Sequence, residues 1–299
     1  MTSITTADLS ADSPLAPPVR ARRRARATGR RIPLGVYLYG GLAGVLVLLG
    51  IIGPWVAGNV TSGNLSERLL GMGAGGHLLG TDGQGRDVVA RLIAGARPSM
   101  ISALLPVAVS GLLGSGLGIA AGMASGWLHS LIMRILDVFY AFPAVLLAIA
   151  IAAALGPGTT TTVIALSVVL IPPIARVAET ETMRLHGMDF MEAAHASGAS
   201  TLRIAGRQVL PNVMPALLVY ATSLIGLALV FAGGMSFLGL GVAPPHPEWG
   251  QMINEQRQNM YTAPMTALIP AIVIFAASLI FNQLGDALRD LLDIRRSTR

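Results

Sequence analysis

Charged side chains that could act together are concentrated in one glycine-rich segment, residues 79–87, which reads LGTDGQGRD. Asp82 and Asp87 can accept hydrogen bonds from the guanidinium groups of Arg86 and Arg91, or from the nearby backbone. Glycine permits the unusual backbone angles that a tight turn needs. The segment lacks the lysine of a GxxxxGK[ST] phosphate-binding loop. We therefore expect a structural turn, with direct contact to a substrate as the alternative.

The sequence contains no pattern typical of a catalytic or metal site. It has no cysteine, which excludes disulfides and thiolate-bound metals, and its five histidines are scattered without zinc-ligand spacing. No candidate nucleophile is spaced as the partner of a base. The sequence therefore predicts neither an enzyme nor a metalloprotein.

The composition indicates a membrane protein. Of the 299 residues, 53% are hydrophobic and 12% charged, whereas about 25% of a typical soluble domain is charged. A membrane span needs about 20 apolar residues, and six runs approach that length: 34–56, 98–122, 138–155, 159–175, 213–231 and 264–285. Hydrocarbon offers the backbone no hydrogen bonds, so these runs must be helices. The predicted fold is all-α and polytopic, with about six transmembrane helices.

Two of these runs carry residues that affect packing. Gly114, Gly118 and Gly122 form a stripe of small residues, which lets helix backbones approach closely in lipid. We expect this stripe to pack inside one bundle, with a subunit interface as the alternative. The fourth run contains Pro172 and Pro173, and it should kink or end there because proline has no backbone N–H.

The distribution of arginine predicts the orientation in the membrane. All 21 basic residues are arginine, and a dense cluster lies just before the first span. Cytoplasmic segments carry the excess of basic residues, so both termini are predicted inside. Residues 1–33 contain little to bury and are predicted to be a disordered basic cytoplasmic tail. A nucleic-acid-binding arm and a signal peptide are the less favoured interpretations of this tail.

The longest predicted inner loop, residues 176–211, is unlike an ordinary connector. Helix-favouring residues cover 178–197, with Gly187 the exception, and Gly198 should break that helix. Ser200 can cap a second short helix that runs to about residue 210, where Pro211 would open the next span. The loop is thus predicted to be a compact knob of two short helices.

This loop also carries a recognisable motif. It consists of Glu192, Ala193, Ala194, Gly198, Leu210 and Pro211. The motif resembles the EAA signature of binding-protein-dependent ABC import permeases, although Gln208 stands where isoleucine is usual. The resemblance implies a coupling helix that docks into a cleft on a separate ATPase subunit.

Three further segments resemble the dipeptide, oligopeptide and nickel branch of that family. The first, LGTDxxGRDxxSRxxxGAR, includes Gly80, Thr81, Asp82, Gly85, Arg86 and Asp87, with Ala90 in place of the serine. The second, SFLGLG followed by PPxPxWG, includes Ser236, Phe237, Leu238, Gly239 and Trp249, and Ala232 stands upstream where an acidic residue is common. The third is NQLGDALRD at 282–290. Together they point to the second of two permease subunits.

The resemblance implies a type I ABC importer bundle similar to that of MetI, with a cytoplasmic coupling helix. Residues 34–78 would form the first transmembrane helix and an outer loop, residues 79–285 the permease core, and residues 286–299 a cytoplasmic tail. The chain would lie in the bacterial inner membrane and form half of a pathway for peptides or a related small solute.

The resemblance also implies partners. These would be a second homologous permease, two cytoplasmic ATPase subunits, an extracytoplasmic substrate-binding protein and the lipid bilayer, but no nucleic acid. The chain itself would hold no cofactor, because the ATPases would bind ATP and Mg²⁺. The alternatives are a cargo of nickel, opine or metallophore chelates and, from other classes, a secondary transporter or a non-transporting scaffold.

Three more residues have two interpretations each. Charges at span ends are functional candidates by default, but Asp137 and Asp286 are read as end-of-helix residues. Trp249 follows a stiff proline run at 244–247. It could anchor the chain in the aromatic belt, or form an outer lid or a contact with the binding protein.

Overall fold

The structure is a computed structural model that describes residues 34–297, and the predicted tail of residues 1–33 lies outside them. Within the described range the regular elements are helices, which confirms the all-α prediction. They are α1 (Leu34–Val56), α2 (Val88–Met123), α3 (Trp127–Tyr140), α4 (Ala144–Leu155), α5 (Thr159–Met183), α6 (Asp189–Ala196), α7 (Thr201–Ile204), α8 (Leu210–Phe237), α9 (Trp249–Glu255) and α10 (Met265–Ser297). Short 3₁₀ turns lie at Leu65–Glu67, Ala74–Gly76 and Arg257–Asn259, and a π-helical turn at Ala205–Val209.

The number of membrane-crossing helices agrees with the prediction. Five helical stretches are long and apolar enough to cross a bilayer, and the count becomes six if α3 and α4 form one bent span. α1 has the predicted bounds. α2 begins ten residues earlier than its apolar run, because Asp87 caps it by accepting a hydrogen bond from the backbone of Ala90. α10 continues past Gly285 to Ser297.

Contacts between glycines and neighbouring helices establish the helix directions. α1 runs antiparallel to α2, since Gly53 faces Ile93 and Gly50 faces Met100. α8 and α10 are also antiparallel, with Gly226 against Ser278. The carboxyl ends of α2, α5 and α10 therefore share one end of the bundle with α6, which we call the α6 end. Residues 57–87 and 238–264 lie at the other, the loop end.

The glycine stripe of α2 packs against α5 over much of its length. A Cβ at Gly114 would lie 2.9 Å from the carbonyl oxygen of Ile171, and one at Gly122 would lie 2.7 Å from Cβ of Thr182. Gly118, between them, faces the carbonyl of Ala175 just as closely. The two helices therefore run parallel in backbone contact. This confirms the prediction that the stripe packs inside the bundle.

The structure differs from two predictions about span continuity. The fourth span does not end at Pro172 and Pro173, because α5 continues as helix to Met183, and a kink there stays a prediction. Packing against α2 holds α5 together where the proline ring removes backbone donors. The run predicted at 138–155 is not one straight span. The helix stops at Tyr140 and begins again at Ala144, and α3 meets α4 at an angle of 84°.

The α2–α5 contact gives a first prediction. Replacing Gly118 by alanine places a methyl group against the Ala175 carbonyl, and overpacking of this kind costs about 1–3 kcal/mol. We expect Gly118→Ala to lower the thermal unfolding temperature of the purified protein in detergent. Gly116→Ala is the matched control, because a Cβ there meets nothing within 4 Å. Equal unfolding temperatures for the two variants would contradict the close contact.

Candidate functional site: the α6 elbow and the ion cluster at the loop end

The predicted knob of two short helices has a different internal structure. The helix predicted over 178–197 is interrupted, because α5 ends at Met183 and α6 begins only at Asp189. Gly187, the helix-breaking residue in this stretch, lies in the turn between them. Gly198 ends α6 with a φ of +74°, a left-handed conformation that glycine adopts without strain. We call residues 184–200 the elbow.

The second half of the loop is continuous with the next span. α7 passes through the π-turn Ala205–Val209 directly into α8, so Pro211 lies within a helix and does not open one. The π-turn has a packing reason. In an α-helix, Ile204 and Val209 would point about 140° apart. The wider turn brings both side chains into the core, where they are 1% and 0% exposed.

The elbow has a buried base and an exposed outer surface. Met191 and Leu185 are buried in the main hydrophobic cluster. The signature residues Glu192, Ala193 and Gly198 are exposed, whereas Ala194 is half-buried. Leu202 is 84% exposed beside them. Leu210 and Pro211 lie beyond the π-turn, half-buried and exposed respectively. The elbow is thus held in place by its buried side chains, and its exposed side is open to a partner.

At the loop end, two arginines and two carboxylates form a buried ion cluster. Arg86 Nε donates to Asp82 Oδ2 at 2.7 Å and Arg86 Nη2 to Glu255 Oε2 at 2.5 Å. Arg91 Nη2 donates to the same Glu255 oxygen at 2.7 Å. All four side chains are at most 8% exposed. The formal charges sum to zero, as burial of this many ions requires.

This cluster joins segments that are far apart in sequence. Arg86 and Asp82 come from the LGTDGQGRD segment, whereas Glu255 ends α9. Beside it, the Gly83 backbone N–H donates to Gln256 Oε1 at 3.2 Å. Among residues 34–297, Arg86 Nη1 and Glu255 Oε1 are buried polar atoms without a hydrogen-bond partner. The segment is therefore a structural turn, as expected, and it is fastened to α9.

The other motif residues of this segment shape the turn. Thr81 accepts a hydrogen bond from the Leu70 backbone N–H at 2.9 Å and donates to the Glu67 carbonyl. Gly80 and Gly85 have φ of +78° and +73°. Asp87 also bonds His77, with 2.7 Å between Oδ2 and Nδ1. This hydrogen bond raises the pKa of His77 above its ordinary value of 6.5.

The PPxPxWG part of the second motif is anchored to α2 through the buried carboxylate of Glu248. Glu248 Oε1 accepts from Ser99 Oγ at 3.0 Å, and its two oxygens cap α9 through the Gly250 and Gln251 backbone N–H groups. Burial raises the pKa of the Glu248 carboxyl. Trp249 is 2% exposed and donates from Nε1 to the Leu92 carbonyl at 2.9 Å. The interpretation of Trp249 as a belt anchor was therefore wrong, because the ring is a core residue, whereas an outer lid or a contact with the binding protein at the proline run 244–247 stays a prediction.

The SFLGLG segment forms the turn that follows α8. Phe237 ends the helix, Leu238 is 56% exposed, and Gly239 has a φ of +82°. Ser236 is buried. The backbone N–H of Gly158 donates a hydrogen bond to the carbonyl oxygen of Leu240 at 3.2 Å, which ties this turn to the start of α5. These residues hold helix ends together at the loop end.

Several residues of these sites were not predicted from the sequence. Glu255 and Ser99 belong to no recognisable motif, and their partners are about 150 residues or more away in sequence. Glu248 directly precedes α9, where a carboxylate caps well, but no helix was predicted to start there. Asp286, read as an end-of-helix residue, lies inside α10. Residues 34–297 contain no group of three or more potential metal ligands.

Comparison with known proteins identifies the family. The family model described as "Binding-protein-dependent transport system inner membrane component" matches residues 114–298. The chain belongs to this family. It is a permease subunit of a type I ABC importer, which is the non-catalytic membrane component. Membership sets aside the secondary-transporter and scaffold alternatives.

The permease is similar to two permeases of known proteins. It is 42% identical over 217 residues to the glutathione transport system permease protein GsiD of Pectobacterium atrosepticum, covering 73% of this chain and 72% of that one. It is 40% identical over 250 residues to GsiD of Escherichia coli O6:K15:H31, covering 83% and 82%. Both belong to the peptide-type branch that the motifs indicated.

Solved structures support the fold. The permease superposes with a TM-score of 0.54 on a chain of the MetNI methionine ABC transporter in an inward-facing conformation, native crystal form. The identity is 17%, and the match covers 67% of this chain and 97% of that one. A second crystal form gives a TM-score of 0.51 at 16% identity. The expected MetI-like bundle is therefore confirmed.

The ion cluster gives a second prediction. Glu255→Gln leaves two buried arginines facing only Asp82, and removing one partner of a buried ion pair costs about 3–5 kcal/mol. We expect a large loss of thermal stability in detergent. The control is Glu181→Gln, which breaks an exposed pair with Arg184, because such pairs contribute only about 0–1 kcal/mol. If both variants unfold at the wild-type temperature, the cluster does not fasten the loop end.

Proposed function

We propose that the permease forms half of the translocation pathway for a peptide-like solute and is driven through the elbow by a separate ATPase. The observation that supports this most is the elbow's construction. Its signature residues Glu192 and Ala193 are exposed, while Met191 beneath them is 1% exposed. A surface that is both open and rigidly supported suits the transmission of force from a docked partner.

The path of the force follows from helix continuity. α5 enters the elbow and α7–α8 leaves it, so the elbow connects two spans directly. α5 packs along α2 through the glycine stripe, and α2 leads to the ion cluster at the loop end. A push on the elbow would therefore tilt helices that reach across the membrane. We propose that this tilting alternates access between its two sides.

The cargo proposal rests on the relatives. Two of them are permeases of glutathione transport systems, and glutathione is a small peptide that carries both an ammonium group and carboxylates. We propose a cargo of this class for the permease, with nickel, opine or metallophore chelates as the alternative.

The assembly proposal follows from the family. It comprises a second permease subunit, two ATPases that bind ATP and Mg²⁺, and an extracytoplasmic binding protein. This chain would itself bind no nucleotide.

The arginine distribution supports the orientation. We propose that the α6 end faces the cytoplasm together with both termini, because this places most arginines inside. The loop end, with its ion cluster, then faces outward.

Labelling with a membrane-impermeant maleimide tests the orientation, since the native chain has no cysteine. Ala196→Cys, exposed on α6, should react in inside-out vesicles and remain unlabelled in intact spheroplasts. Met72→Cys, 54% exposed at the loop end, should behave in the opposite way. Labelling of Ala196→Cys from outside would overturn the proposed topology.

Gly198→Pro tests the coupling itself. Proline cannot adopt the φ of +74° found at this position, so the elbow should lose its shape while the spans stay folded. Coupling energies of 1–3 kcal/mol correspond to roughly 5- to 150-fold effects. We therefore expect ATP-driven uptake of trialanine by the reconstituted complex to fall by about tenfold or more.

The control for this experiment is Gly187→Ala in the same loop. A Cβ there meets nothing within 4 Å, so uptake should be unchanged. ATP hydrolysis is measured in parallel. Wild-type uptake by Gly198→Pro would remove the coupling role from the elbow.

A further inference from the structure

α3 presents three distinct faces. Its 14 residues span about 21 Å, too short for the roughly 30 Å of hydrocarbon. Leu136 packs into the bundle, and Leu131 and Ile135 form an exposed apolar face. Between these faces runs an exposed polar strip of Ser130, Arg134 and Asp137.

The polar strip of α3 is joined to α5. Asp137 Oδ1 accepts a hydrogen bond from Arg176 Nη2, and the two side chains are still 50% and 46% exposed. The Arg176 guanidinium lies over the ring of Tyr140, 5.6 Å from its centroid. One turn or more nearer the α6 end, His129 Nε2 contacts Glu179 Oε1 at 3.1 Å. A charged pair, an aromatic ring and open space thus meet on one surface.

This surface is poorly suited to lipid. Charged side chains within a transmembrane segment face the bundle interior or a water-filled cavity, because exposing them to hydrocarbon is costly. Arg176 lies inside α5, an apolar helix that is long enough to span. Arg176 lies towards the α6 end of this helix, so the strip is expected to face water, another protein or the headgroup region rather than hydrocarbon.

The pair retains unused bonding capacity. Within the described residues, Asp137 Oδ2 and the Nε and Nη1 groups of Arg176 make no hydrogen bond to another residue and are open to solvent. A carboxylate with a free acceptor beside a guanidinium with free donors matches an ammonium and a carboxylate carried by one small molecule. The pair is neutral as a whole, so a zwitterion can exchange with it without leaving an unpaired charge.

We propose that Asp137, Arg176 and Tyr140 form a contact site for the charged ends of a zwitterionic peptide in the inner half of the water-filled pathway. Each charge exchanges its partner in the chain for one end of the peptide. This inference rests on the proposed function for the class of cargo. It assigns the contact with the charged ends of the peptide to Asp137 and Arg176, which are both exposed and oppositely charged.

Thiol chemistry tests the site in the reconstituted complex. Arg134→Cys on the polar strip and Leu131→Cys on the apolar face are both exposed in the chain, so their reactivity reports their surroundings. A charged methanethiosulfonate reagent reacts with the thiolate, which forms in water and not in hydrocarbon. We expect Arg134→Cys to react at least about tenfold faster than Leu131→Cys.

Two peptides then test for cargo contact. Trialanine should slow the reaction of Arg134→Cys by about fivefold or more, since a bound peptide covers the strip. N-acetyl-trialanine amide, which lacks both end charges, should give no protection. Adding Asp137→Asn or Arg176→Gln should abolish the protection by trialanine. The expression and thermal stability of these variants are measured alongside, with Glu181→Gln as the control for loss of an exposed pair.

Three results would overturn the site. The first is an equally slow reaction of the cysteines at residues 131 and 134, which would mean that lipid or the partner permease covers the strip. The second is equal protection by both peptides. The third is protection by trialanine that survives Asp137→Asn. Wild-type uptake of trialanine driven by ATP is measured in the same vesicles. Its absence would defeat the proposed function, whereas its presence without charge-dependent protection would defeat this site alone.

Discussion

The backbone contact between α2 and α5 is the constraint on which the rest of the molecule depends. Gly118 and its neighbours in the stripe bring the two helices together over several turns, and a Cβ would force them apart. Because close packing replaces the hydrophobic effect as the force between helices in lipid, this contact keeps α5 helical through Pro172 and Pro173. α5 in turn carries the elbow at one end, and α2 carries Arg91 into the ion cluster at the other.

The two ends of this helix pair are built from different chemistry. The elbow stands on apolar side chains such as Met191 and leaves its polar surface free. The loop end buries its charges instead, where Glu255 pairs with Arg86 and Arg91. Removing one partner of a buried ion cluster leaves the remaining charges uncompensated. The two ends are therefore held by different interactions, apolar packing at the elbow and compensated charge at the loop end.

Local patterns predicted a large part of the fold. α1 and the glycine stripe follow from apolar length and residue size, which act within one or two helices. Trp249 was misread because an aromatic residue near a span end looks the same in sequence whether it meets lipid or the Leu92 carbonyl. Glu255 could not be found, since a buried charge is recognised by partners that only the fold brings near. Signature residues of the elbow were recognisable in sequence, but the continuity of α7 with α8 was not.

The π-turn at Ala205–Val209 has a consequence for how the elbow is aimed. It places one more residue in the backbone ring than an α-turn does. Each residue of an α-helix adds about 100° of rotation. Deleting one residue from this turn would leave sound helix on either side, yet it would swing Glu192 about the α8 axis by roughly that angle. The direction in which the elbow faces thus depends on the number of residues in this turn, as well as on the burial of Val209 within it.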